Sequence, residues 1–377
     1  MATNIYGNGT TTATAGANTI VHYYDRAGIK AANRTNVYGQ FADRKSMPKK
    51  MGKTFKISKF LHMYDRALSD TDFAAKGYLS ARDIADVNTA LTSASLAEGA
   101  GAVNKRSLQK ITMETSLARY GEMIDYTDEV ELFSEDAIQV RYREELGELA
   151  NSRFEDLIQL DMLSTGTVMY SGTATAIGDV DTPVSYDLIR KAVRKLVRNR
   201  AQKNTQLVTG STKIDTNTVA KAYYAIIGAN VKGDLETLTR GNVTDNGMTE
   251  FVYIPAHKYA SAATLAEGEV GAMHEVRFIE SEAAVVYAGQ GATATDAALA
   301  ATGGNYDVFP ILFPTQGAFA TVGLKGQDKI KFNAKSPEMV ENANPYGTNG
   351  FFSYNFFYAG IILEEEKLLK VLVTASA

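Results

Sequence analysis

The 377-residue chain contains no cysteine and no tryptophan. Without thiols there can be no disulfide framework, no thiolate nucleophile and no cysteine-ligated zinc or iron–sulfur site. That fits a reducing compartment, or a particle built in one. Proline is scarce, at 7 residues against 31 glycines, which suggests many loops and turns without a disordered composition. Neither sign of charge dominates: 39 basic residues face 43 acidic ones, for a net charge of −4. No global basic field marks the whole molecule as a nucleic-acid binder. Long apolar runs are missing too. The longest, Phe356–Leu363, is stopped by Glu364–Glu366, far short of the roughly 20 residues that a bilayer-spanning helix needs. The first twenty residues have neither the basic n-region nor the apolar stretch of a secretory signal. These absences predict a soluble protein made in the cytoplasm, with no membrane partner.

The chemistry of catalysis is also missing. The four histidines, His22, His62, His257 and His274, are scattered, and none stands four residues from another as an HExxH metal face requires. His274-Glu275 reads as a chance pair. There is no GxxxxGK phosphate loop and no GxSxG elbow. Gly7-x-Gly9 and Gly99-x-Gly101 lack a third glycine and a preceding strand, so they read as loops. Asp179-x-Asp181 lacks the remaining ligands of a calcium loop; turn chemistry ahead of Pro183 explains it better. The expectation is no enzyme, no cofactor and no metal.

What is present is a chain with 45% apolar residues, long enough for two to three domains around a large core. Residues 1–20 bury little and read as a flexible arm. Ile20–Phe41 gains Tyr23, Tyr24, Ile29, Val37 and Tyr38, enough to dock on something. Lys53–Met63 alternates, with Phe55, Ile57, Leu61 and Met63 on one side and Lys59 interrupting it. That is the period of a half-exposed strand. Ile111, Met113, Thr115 and Leu117 look like its return partner. Between them lies a polar excursion holding a short helix candidate from Ser80, with Asp83 completing a capping box. A two-stranded flap with so little core needs another surface to lie on.

Ser134–Ser164 reads as one long helix, capped by Ser134, with Gly166 as the glycine just past its end. Ile138, Tyr142, Leu146, Leu149, Leu157 and Leu160 recur at helical steps. A second helix, Tyr186–Arg200, is capped by Ser185 and turns Leu188, Ile189, Ala192, Val193, Leu196 and Val197 inward. Strands follow at Tyr223–Ala229, Phe251–Ile254, Val276–Glu280 and Asp307–Phe313, with a low-complexity loop at 289–305. The end is β-rich: Lys329–Asn333, Phe351–Leu363 and Leu368–Thr374. The aromatic run Phe351–Tyr358 could stack on nucleic-acid bases, but no basic residue interleaves it, so a buried strand is preferred.

Charge is informative by segment. Gln40–Arg66 holds eight basic residues against Asp43 and Asp65. Glu122–Asp161 holds thirteen acidic residues against Arg141, Arg143 and Arg153. Opposite blocks on a flap and a long helix suggest docking; two solvated faces are the alternative. The stripe Arg190, Lys191, Arg194, Lys195 and Arg198 suits DNA, an acidic neighbour or plain solvent.

The order of parts resembles the major capsid proteins of tailed bacteriophages, which share the Hong Kong 97-type fold. Specific stretches are similar to the coat-protein lineage typified by the podophage N-four. They are Asn344-Pro345-Tyr346-Gly347-Thr348-Asn349-Gly350-Phe351 with Phe357-Tyr358-Ala359, His257-Lys258-Tyr259-Ala260, Gly268-Glu269-Val270-Gly271, and Val276-Arg277-Phe278-Ile279. Ile189-Arg190-Lys191-Ala192-Val193, Gly210-Ser211-Thr212 and Asp307-Val308-Phe309-Pro310 belong with them. The chain departs from the lineage where Phe356 or Phe357 stands in place of a C-terminal tryptophan, and its flap between residues 65 and 106 is long.

The resemblance implies an α+β fold. Its parts would be an N-terminal arm (1–50), an extended loop (51–122), a peripheral domain (123–182 and 327–377) with a long spine helix, and an axial domain (183–326). It implies a virion protein that assembles with itself, as pentamers and hexamers, into an icosahedral shell enclosing double-stranded DNA. Assembly in the host cytoplasm, a portal, a separate scaffolding protein, room for a decoration protein and non-specific contact with packaged DNA would follow. A bacterial encapsulin-type compartment shares the fold and is the alternative. An enzyme on a mixed fold is a third reading, for which no residue can be nominated. The charge blocks then acquire a role at a subunit interface. Lys49, Lys50, Lys53, Lys56 and Lys59, at the root of the loop, are expected to lie over Glu144, Glu145, Glu148, Glu155 and Asp156 on a neighbour's long helix.

Overall fold

The computed structural model describes residues 36–60, 83–99, 101, 104–105, 108, 110–133, 138–206, 218–239, 252–259, 265–327, 329–340 and 344–377. The expected features at 1–35, at Ser80, at Leu61–Met63, at the Ser134 cap and at Gly210–Thr212 lie outside them. So do His22 and His62.

Two sheets carry the fold. The first has five strands and is built on one long strand. Its members are β1 (Asp43–Met47), β4 (Ala118–Thr127), β13 (Phe319–Leu324), β14 (Lys331–Lys335) and β15 (Asn349–Ile362). β15 pairs with β4 along Asn349–Tyr358, with β14 along Phe351–Asn355 and with β13 along Phe319–Val322. β1 closes one edge, parallel to β13. A hairpin of β2 (Thr54–Phe60) and β3 (Lys110–Ser116) pairs in the register Thr54↔Ser116 to Phe60↔Lys110. Between its strands lies α1 (Ile84–Thr92), whose cap is Asp83, accepting from the Asp86 amide at 2.7 Å. α2 (Asp128–Phe133) follows β4, and α3 (Ile138–Leu163) is the long helix. Its 26 residues span about 39 Å at 1.5 Å each.

The second sheet has seven strands in the order β5-β16-β12-β6-β9-β8-β7. They are β5 (Val168–Tyr170), β6 (Tyr223–Gly228), β7 (Ile254–Pro255), β8 (Glu269–Met273), β9 (Val276–Ser281), β12 (Phe309–Pro314) and β16 (Leu368–Val373). α4 (Tyr186–Arg198) starts where expected, with Ser185 Oγ accepting from the Leu188 amide at 3.2 Å. α5 (Ala229–Glu236) follows β6 directly. The 289–305 stretch is loop around a two-residue hairpin, β10 (Ala301–Thr302) with β11 (Asn305–Tyr306).

The sheets cut across the expected domain boundaries. β5 and β16, from segments expected in a peripheral domain, sit in the seven-stranded sheet; β13, from the segment expected in an axial domain, sits in the five-stranded one. Gly166 is also not the helix-ending glycine with positive φ. Its amide donates to Glu365 Oε1 at 2.8 Å, and a Cβ there would collide with that carboxylate.

Packing explains why these residues make these elements. α4 and α5 cover one face of the seven-stranded sheet through Leu188, Ile189, Leu196, Val231 and Leu235, against Tyr223, Ala225, Phe278, Ile311 and Val371. The alternate residues, Ile226, Ile279 and Leu312, point to the other face and pack in the α3 core. β15 shows the same period of two. Phe352, Tyr354, Phe356 and Tyr358 are buried toward α3. Tyr354 stacks on Phe356 at 6.1 Å, and Tyr126 stacks on Phe352 at 5.4 Å. Such ring pairs add about 0.5–1.5 kcal/mol beyond area burial. The aromatic run is therefore core, as its lack of interleaved charge suggested.

Candidate assembly surface

The segment 36–47 ties itself to its own subunit. Tyr38–Phe41 forms one 3-10 turn whose backbone needs acceptors, and Glu155 on α3 supplies them. Its carboxylate accepts from the Tyr38 amide and, at 3.2 Å, from the Gly39 amide. Glu155 is only 5% exposed. It therefore leaves the set of residues expected to meet a neighbour's lysines: burial under the arm places it inside its own subunit. The sequence could not distinguish it from Glu148 or Asp156, because the arm that covers it arrives from 116 residues away. Tyr38 and Gln159 pair at 2.8 Å beside it, and β1 then runs out along β13.

The chain next turns at Lys50 and Gly52, both at positive φ, into the β2–β3 hairpin. The hairpin root does not lie on its own long helix. Phe55, Ile57, Met113 and Leu117 pack on Met47, Ala320, Val322, Ala359 and Ile361, the β15 side opposite α3. Lys59, which interrupts this apolar side, has a reason to be there. Its ammonium donates to the Leu363 carbonyl at 3.1 Å and pairs with Glu364 at 2.9 Å. Thr115 Oγ1 adds a bond to the Gly360 carbonyl at 3.0 Å. Lys56 pairs across the hairpin with Glu114 at 2.8 Å, and this contact holds the Glu114 carboxyl below its usual range. Lys49, Lys50 and Lys53 are exposed, and no ion pair engages them among the described residues. Of the acidic candidates, Glu144 and Glu145 are exposed, and Glu148 and Asp156 are half-buried. The single subunit thus brings none of the lysines onto the helix.

The α4 stripe is thinner than its sequence. Lys191 pairs with Asp187 at 3.0 Å. Lys195 turns inward to the Val168 carbonyl at 3.1 Å, and burial pushes its ammonium down. Arg190, Arg194 and Arg198 remain exposed. In the seven-stranded sheet Glu269 and Arg277, both fully buried, face each other at 3.8 Å, with Arg277 over the Tyr259 ring at 5.6 Å. Burial pushes the Glu269 carboxyl up. Among the described residues no group of three or more His, Asp or Glu side chains is placed to hold a metal, and no helix is long and apolar enough to cross a membrane.

Comparison with known proteins gives the whole chain relatives. The major capsid protein of Pseudomonas phage KPP21 is 30% identical over 380 residues, spanning 96% of this chain and 94% of that one. No family model matches. The capsid of Ralstonia phage GP4 has a similar structure, with a TM-score of 0.62 over 98% of this chain and 99% of that one, at 11% identity. The capsid of cyanophage Pam1 matches at 0.58 over 96% and 98%, also at 11% identity. That of cyanophage P-SCSP1u matches at 0.57 over 98% and 96%, at 12% identity. At such low identities these structures speak for the fold alone.

Proposed function

Because the chain belongs to the phage major capsid proteins and carries their Hong Kong 97-type fold, we propose that its copies assemble as pentamers and hexamers into the icosahedral head shell around a double-stranded DNA genome. The observation that carries this reading is the end-to-end match to one phage coat protein. The role is mechanical, so the residues that matter are interface residues rather than a catalytic set. Portal and scaffolding proteins, packaged DNA and a decoration protein are the partners such a shell uses. The peripheral sheet with α3, the seven-stranded axial sheet, the arm and the hairpin are the parts a shell subunit needs: a core and two extensions.

Co-expression with the scaffolding protein of the same phage, followed by negative-stain microscopy, tests the reading. Closed shells with five- and six-fold capsomers are expected, and shells recovered from infection should hold nuclease-protected DNA. Particles that carry an enzyme cargo and no DNA would move the chain to the encapsulin-type reading. A soluble monomer under all conditions would remove both.

Within the shell, the exposed lysines Lys49, Lys50 and Lys53 lie over Glu144, Glu145 and Glu148 of a neighbouring subunit, with Lys56 and Asp156 at the margin. What supports this is the mismatch of charge inside one subunit. The basic root sits on one side of the peripheral sheet and the acidic helix on the other, so only a second copy can bring them together.

A further inference from the structure

The chain is acidic overall, at −4, yet one helix carries the opposite sign. α4 holds Arg190, Lys191, Arg194, Lys195 and Arg198 against a single acid, Asp187. Lys195 turns in to the Val168 carbonyl, and Lys191 holds Asp187 at 3.0 Å. That leaves Arg190, Arg194 and Arg198, all exposed and four residues apart. Four-residue steps put the three along one side of the helix, about 6 Å from one to the next. Among the described residues no ion pair engages any of them. Arg200, just past the helix end, is exposed as well.

Two ordinary explanations fall short. Cations in the last turn of a helix offset the negative end of its dipole, which accounts for Arg198 but not for Arg190 or Arg194. A solvated helix face gains from opposite charges four residues apart, whereas like charges at that spacing repel. Three arginines in a row set up that repulsion twice, and an anionic partner relieves it. The row is also held in place. Leu188, Ile189, Ala192, Val193 and Leu196 seat α4 on the seven-stranded sheet. Asn199 Nδ2 donates to the Glu366 carbonyl at 2.8 Å, and the Arg190 guanidinium rests over the Tyr186 ring at 5.8 Å. Groups already in place lose less freedom on binding.

The chemistry of the face selects its partner. A protein partner buries an apolar centre, and the only large apolar side chain that α4 exposes is Val197, at 53%. A nucleic-acid interface is polar and strongly positive instead. The three cations of the row are arginines, whose planar guanidinium meets a phosphate with two hydrogen bonds. Arg190 to Arg198 covers about 12 Å, a length over which duplex DNA presents about seven phosphates. The acidic helix α3 does not compete for the row within one subunit. The face of the sheet that packs in the α3 core is the one turned away from α4.

We propose that the side of α4 carrying Arg190, Arg194 and Arg198 binds the phosphate backbone of double-stranded DNA without regard to sequence. The inference rests on the shell reading above and adds to it the residues that touch the genome.

Two experiments test it. In the first, soluble subunits are titrated with a labelled DNA duplex between about 50 and 200 mM salt. The wild type is compared with the triple variant Arg190→Gln, Arg194→Gln, Arg198→Gln. All three side chains are exposed, so circular dichroism should not change. Three phosphate contacts contribute about 2.7 to the slope of log affinity against log salt, so the wild type should lose about fortyfold more affinity than the variant across that range. A second variant, Lys325→Gln, Lys329→Gln, Lys331→Gln, removes the same charge from exposed positions around β14 and should keep the wild-type slope. A wild type that does not bind, an arginine variant with the wild-type slope, or an equal loss from the lysine variant would overturn the inference.

The second experiment asks what covers α4 in the particle. The parent has no cysteine, so Arg194→Cys supplies a single thiol for a small maleimide. It should react in DNA-free shells and be protected in DNA-filled heads. Protection in both would put a neighbouring subunit on α4, reaction in both would leave the face in solvent, and either result overturns the inference. A chain that forms no shells, while its subunits keep the difference in slope, would instead overturn the shell reading and leave the DNA-binding face standing.

Discussion

Glu155 shows how one side chain can hold an extension in place. It satisfies the backbone amides of Tyr38 and Gly39 from the middle of α3. Removing it leaves buried donors without acceptors, at about 1–3 kcal/mol for the group lost. Glu155→Ala should lower the thermal midpoint and speed amide exchange at 38–41, while exchange along β15 stays slow. Equal acceleration in β15 would show that the residue supports the core and not the arm. Glu269 makes a different prediction, in pH. Burial raises its carboxyl above the ordinary range, so the folded chain holds that proton more tightly than the unfolded chain does. This contribution is complete below the ordinary carboxyl range and is lost as pH rises through the raised value. The midpoint of the wild type minus that of Glu269→Gln should therefore fall as pH rises from acid toward neutral. A difference that rises instead would mean that the Arg277 charge dominates the site.

Elements differ in how openly the sequence announces them. β15 was legible because its aromatics alternate; Phe352, Tyr354 and Phe356 do lie on one buried face. Replacing any of them by alanine should cost about 3–5 kcal/mol and give insoluble or unfolded protein rather than a folded subunit defective in assembly. Soluble, native-like variants would make the strand an interface. α4 was legible through Ser185 and its apolar spacing, and the β2–β3 pairing through its alternation. β1, β8, β13 and α5 were not. β13 is apolar on both faces and β1 nearly polar throughout, so neither shows a period. α5 is eight residues long with an internal glycine. Of the residues nominated for a subunit contact, the sequence shows the charge blocks as strings, but the cover over Glu155 and the inward turn of Lys59 depend on contacts from distant segments. The Lys59 contact with Glu364 fixes the hairpin root. Each half-exposed pair adds at most about 1 kcal/mol, so Lys59→Ala should leave the midpoint nearly unchanged yet increase proteolysis between β2 and β3. Unchanged cleavage would show that the apolar root holds the hairpin alone.

At the scale of the whole molecule, charge is sorted by side. The acidic residues of α3 and the basic loop root sit on opposite sides of the five-stranded sheet. Shell formation should weaken at 1 M salt, where screening shortens to about 3 Å. Lys50→Glu with Lys53→Glu should give folded subunits that do not close shells. Adding Glu144→Lys and Glu145→Lys in the same chain should restore part of the yield. No rescue by the fourfold variant would show that the two blocks never meet.

The last strand, β16, lies between β5 and β12, so Val168–Tyr170 waits for Lys370–Leu372 before it has a neighbour. Some two hundred residues of chain must leave the ribosome between the two. A nascent subunit therefore cannot complete its seven-stranded sheet until Leu368–Val373 emerge, and synthesis itself delays the appearance of assembly-competent copies. Chains ended at Leu363 should stay with chaperones or aggregate, and should neither join shells nor poison them. Truncated chains found within shells would mean that the sheet tolerates the gap.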